Sequence, residues 1–123
     1  MNWVSIIREN IDFWTKQFDT AIQNHGRFSR VADRAGAMVG SIKLLSYAIS
    51  EKGIPRIDAS GTELFNYLKS SKEFILWPFY EDRCREVKKI IEQIVNLPEI
   101  GVEEIRARML EHLDKRSKPK SLI

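Results

Sequence analysis

Ala32, Gly36 and Gly40 recur at intervals of four inside a stretch that otherwise patterns as helix. This spacing constrains the fold of the chain more than any other feature. On a helix the three small residues line one face. Two glycines in a helix interior cost roughly 1 kcal/mol each relative to alanine, so something must offset them. Either a neighbouring helix packs closely against a smooth face, or Gly36 marks the turn of a helix-turn-helix. The first is structural; the second implies DNA.

The surrounding pattern is helical throughout. Trp3, Ile7, Ile11, Trp14, Phe18, Ala21 and Ile22 follow helical spacing, with Arg8, Glu9, Asp12, Lys16 and Asp19 between them. Val4, Ile6 and Phe13 widen the apolar arc, so this helix should meet neighbours on two sides. Asn24-His25-Gly26 ends it, with Gly26 as a left-handed cap. A second helix is predicted from about Phe28 to Glu51, with Val31, Ala35, Val39, Ile42, Leu45 and Ile49 as its apolar positions and Gly53 and Pro55 as its stop. Ser60-Gly61-Thr62-Glu63 has the spacing of a capping box, leading a short helix through Leu64, Phe65 and Leu68 that Ser70-Ser71 breaks.

Pro78 fits the first position of the next helix, where its missing N–H is no loss. That helix carries Cys84, Val87, Ile91 and Ile94 on one face and closes at Leu97-Pro98. Val102, Ile105, Met109 and Leu113 outline a last helix, with Glu103 and Glu104 in a first turn that suits the helix dipole. No segment alternates convincingly as a strand. The expected fold is all-α, a single-domain bundle of about five helices over residues 1–114 with a long central second helix, followed by a basic flexible tail, 115–123.

Charge narrows the partners only slightly. Twenty basic and 17 acidic side chains leave a net +3, a thin excess rather than a strongly basic surface. Its distribution is uneven: residues 27–56 carry +4, residues 57–82 carry −3 and residues 83–123 carry +3. The single cysteine, Cys84, cannot form an internal disulfide. The first residues lack the pattern of a signal peptide, and the densest apolar run, Phe74 to Tyr80, is far too short to span a membrane. A cytoplasmic protein without membrane contact is expected.

Catalytic constellations are hard to find. His25 and His112 have no cysteine or carboxylate at ligand spacing on their own helices. Together with one cysteine they supply too few ligands for a structural zinc site, so no metal or cofactor is expected. Gly36-x-x-x-Gly40 is not followed by Lys-Ser or Lys-Thr, as a phosphate loop would require. Arg83 and Arg85 flank Cys84 and would lower its thiol pKa, but Cys84 also falls on the apolar stripe with Val87 and Ile91, which favours a packing role. The chain is expected not to be an enzyme.

Two functions remain. In the first, the chain is a non-catalytic adaptor, inhibitor or immunity-type protein. Trp77, Phe79 and Tyr80 anchor a protein partner, and Arg83, Arg85, Lys88 and Lys89 form an electropositive rim favouring an acidic surface. In the alternative, residues 28–47 form a helix-turn-helix of a DNA-binding regulator. Ala32, Gly36 and Ile42 match its small, glycine and β-branched positions. Arg27, Arg30 and Arg34 would reach phosphates, with Lys43 and Tyr47 on the reading side. Met38, Val39, Gly40 and Ser41 would then face the bases and offer little hydrogen bonding to them, which weighs against DNA.

If residues 28–51 instead form one helix, on the order of 36 Å long, the face of Ala32, Gly36 and Gly40 is free for a helix from the same chain or, in a homodimer, from a second copy. The tail Lys115-Arg116-Ser117-Lys118-Pro119-Lys120 is read as solubilising, with nucleic acid as a lesser use.

Overall fold

The computed structural model describes residues 2–70, 78–97 and 107. Among them are four helices and no strand: α1 (Trp3–His25), α2 (Arg30–Lys52), α3 (Gly61–Lys69) and α4 (Tyr80–Val95). The expected last helix from Val102 to Leu113, the tail and Trp77 lie outside the described residues.

Each helix starts where a short polar side chain can satisfy its orphan N–H groups, except the last. Asn2 accepts from the Ser5 N–H at 3.0 Å, Ser29 from the Ala32 N–H at 3.2 Å and Ser60 from the Glu63 N–H at 3.1 Å. Gly26 and Gly53 end α1 and α2, both with φ +90°, and their N–H groups close onto Ile22 and Ile49. Their ψ values of 155° and 177° are extended rather than left-handed helical, so each turns the chain sharply out of the helix. Ser70 caps α3, where the serine pair was expected to break it.

The short link Gly26–Ser29 folds α2 back along α1, and α2 also touches α3 and α4. α2 therefore meets every other described helix, as does α4, and at 23 residues it equals α1 in length rather than exceeding it. One core joins all four helices: Trp3, Ile7 and Ile11 from α1, Ile42, Leu45 and Ile49 from α2, Leu64 and Leu68 from α3, Val87, Ile91 and Ile94 from α4. Trp14, Tyr47, Phe65 and Tyr80 pack on its margins. No helix among the described residues is long and apolar enough to cross a membrane.

Three local expectations are corrected. α2 begins at Arg30, not Phe28, because Ser29 is a better cap than any residue before it. Pro78 is not the first residue of α4; it precedes the N-cap position, which Phe79 occupies at φ 58° and ψ 40° with no side-chain capping bond. Phe79 is the one non-glycine residue with positive φ among those described. Finally, α2 runs without interruption through Gly36, so the turn that a helix-turn-helix needs there does not form.

Candidate functional site

The expected protein-binding set divides once it is placed on α4. Tyr80 is half-buried, its ring 5.0 Å from that of Phe65 and edge-on to it. Arg83 is only 2% exposed. Its Nε donates to Ser41 Oγ, which itself donates to the Ala37 carbonyl at 2.8 Å, and its Nη1 donates to the Pro78 carbonyl at 3.3 Å. Burial pulls its pKa down to about 10. Arg83 therefore ties α4 to α2 and is no part of a rim. Arg85 pairs with Asp82 at 3.3 Å and Lys89 with Glu86 at 3.2 Å, both along α4. Lys88 is half-buried. Phe79, half-buried, lies under the guanidinium of Arg30, 5.3 Å from it.

The nucleic-acid set divides as well. Arg27, Arg30 and Arg34 gather at the start of α2, where Arg34 also reaches Asp82 at 3.2 Å. Lys43 comes nine residues after Arg34 on the same helix, about half a turn around its axis. Tyr47 packs against the core. No single face of α2 presents all five.

The small-residue face has two fates. Ala32 is fully buried, and a Cβ built on Gly36 would meet Phe18 Cε1 at 3.1 Å. One of the two glycines is thus explained by close packing of α1. A Cβ built on Gly40 meets nothing within 4 Å. Beside it opens a groove of about 420 Å³ bordered by Asp33, Gly36, Ala37, Gly40, Pro78, Phe79 and Arg83.

Among the described residues the most exposed large apolar side chain lies elsewhere, on the turn between α1 and α2. Phe28 is 91% exposed and Val31 52%. The turn beneath them is tightly tied: Ser29 N–H and Oγ both donate to the Gly26 carbonyl, at 3.2 and 2.8 Å, and Asp33 N–H donates to the Ser29 carbonyl at 3.0 Å. An apolar residue just before an N-cap ordinarily packs against the fourth helical residue as a hydrophobic staple. Here that residue is Asp33, so Phe28 has no such use within the fold. Arg27 and Arg30 flank it.

Sequence reasoning missed this turn because it placed Phe28 inside the helix. The signal that would have found it is Ser29 followed by acidic Asp33, an N-cap with no staple partner.

Cys84 packs in the core at 4% exposure, its thiol 3.7 Å from the Gly61 carbonyl, and burial pushes its pKa up. Among the described residues no group of three or more His, Cys, Asp or Glu is placed to hold a metal ion. No protein family, no curated protein and no solved structure matches this chain.

Proposed function

We propose that the chain is a non-catalytic interaction protein, an adaptor or inhibitor, that grips a protein partner with the α1–α2 turn. The observation that carries this is Phe28, displayed at 91% exposure on a turn fixed by its own hydrogen bonds. A rigid aromatic loses little conformational freedom on binding. Burying a side chain of this size is worth roughly 1.5–3 kcal/mol. Arg27 and Arg30 beside it favour a recess with an acidic edge, and Val31 extends the apolar contact.

The anchor thus moves from Tyr80, which packs on Phe65, to Phe28, and the basic flank from Arg83 to Arg27 and Arg30. Phe79 adjoins this surface through Arg30. Two or three arginines interspersed with Asp33 make a weak phosphate-binding surface, so a protein is favoured over a nucleic acid. Capture by the tagged full chain from nuclease-treated extract tests this, comparing wild type with Phe28→Ala and with Arg27→Glu. Loss of the same partner in both variants, with the fold retained, supports the turn. Recovery that depends on nucleic acid counts against it.

A further inference from the structure

We propose that Phe79 is a positioning residue for the α1–α2 turn: its ring holds Arg30 in place on the basic flank of Phe28. This rests on the function proposed above and deepens it, because it adds a residue from α4 that shapes the binding surface. The backbone at Phe79 (φ 58°, ψ 40°) is left-handed, a conformation that a bulky side chain seldom takes and that glycine or asparagine takes at lower cost. A strained residue of this kind persists where the surroundings or the function require it. Capping does not require it, since Phe79 stands at the N-cap of α4 with no side-chain capping bond. The core does not require it either: Phe65 and Tyr80 are among the described residues that pack on it, and Phe79 is not. What the ring does meet is Arg30, whose guanidinium lies 5.3 Å from its centroid in a cation–π contact.

The next arginine is held by the same end of α4. Arg34 Nη2 pairs with Asp82 Oδ2 at 3.2 Å. Phe79 and Asp82 stand at the N-cap and in the first turn of α4, and Arg30 and Arg34 lie on successive turns at the start of α2. The start of one helix thus fixes two guanidinium groups on the other. Both arginines remain exposed, so each can still meet a partner. Arg27, equally exposed, makes no ion pair or ring contact among the described residues. An arginine already held in its binding position loses less rotamer freedom when the partner arrives.

Side-chain NMR of the purified full chain tests the positioning without a partner. In wild type the Nε–H groups of Arg30 and Arg34 should be more ordered than that of Arg27, and the Phe79 ring current should shift the Arg30 signals. Phe79→Leu keeps an apolar side chain on the same backbone but loses the ring face, so Arg30 should become as mobile as Arg27. Phe79→Tyr keeps the face and should restore the wild-type pattern. The consequence for binding is read on the protein that wild type retains from nuclease-treated extract. Its affinity should fall about three- to tenfold with Phe79→Leu, at unchanged Tm, and return with Phe79→Tyr, a rescue that a merely structural role would not give. An Arg30 as mobile in wild type as Arg27 overturns the proposal, as does a Phe79→Tyr variant that behaves like Phe79→Leu. Affinity lost with Phe28→Ala but kept with Phe79→Leu overturns the positioning role alone. Equal affinity of wild type and Phe28→Ala overturns the turn as the binding site, and with it the role of Phe79 there.

Discussion

Gly36 and Phe18 are in direct contact across the α1–α2 interface: a Cβ on Gly36 would lie 3.1 Å from Phe18 Cε1. The same atom on Gly40, one helical turn further, would touch nothing within 4 Å. Both glycines carry the same helix-propensity cost, yet only one is repaid by packing inside the chain. Gly40→Ala is therefore expected to stabilise the monomer by about 0.5–1 kcal/mol, a rise of about 2–6 °C in melting temperature. Gly36→Ala should gain less or lose, because the Phe18 ring must give way. Calorimetry on dilute protein gives the order; a larger gain for Gly36→Ala would contradict it.

Continuity of α2 has its own test. Ala37→Pro removes a helical hydrogen bond and drives the ring against the preceding turn, at a cost of about 3 kcal/mol or more. Residue 37 would fall in the turn of a helix-turn-helix, where the penalty would be small. A steep loss of stability in urea is expected, and an unchanged midpoint would restore the turn.

Ser41 and Arg83 make a third case. Ser41→Ala leaves the buried Arg83 Nε without its hydroxyl acceptor, and such a loss costs about 1–3 kcal/mol. Were Arg83 a surface anchor instead, Ser41→Ala would leave the fold intact and change partner binding. Urea unfolding of the variant separates the two.

Much of this was legible from local chemistry. The α1 core positions Trp3, Ile7 and Ile11 and the Ser60 cap of α3 need only helical periodicity and a capping side chain, and both signals lie within a few residues. The start of α4 was not legible, because Pro78 satisfies a local rule while Phe79 takes a positive φ that no local rule favours. The roles of Tyr80 and Arg83 depended on contacts with Phe65 and Ser41, which are distant in sequence. A basic side chain next to a polar run looks the same in sequence whether it points to water or to a buried hydroxyl. Phe28 failed for a smaller reason, a helix boundary displaced by two residues.

The thiol of Cys84 gives a pH signature. Burial raises its pKa above the ordinary value of 9.0, and Tyr80, Arg83 and Lys88 offset only part of that. Above pH 9.0 the unfolded chain releases this proton first, so it holds fewer protons than the folded chain and stability falls as pH rises. Cys84→Ala removes that dependence. Between about pH 8 and about pH 10 the stability difference between the two proteins should shift in favour of the variant. A difference that does not move with pH would mean that the thiol ionises alike in both states.

The most direct measurement concerns Phe28. Tagged wild type and Phe28→Ala are each used to capture partners from extract before and after nuclease treatment, with thermal melting of both proteins alongside. A defined protein retained by wild type and lost with Phe28→Ala, at unchanged melting temperature, is the expected result, since the side chain is 91% exposed and contributes little to the core. Equal recovery by both proteins, or a partner held by wild type only before nuclease treatment, would contradict an interaction protein that binds through this turn.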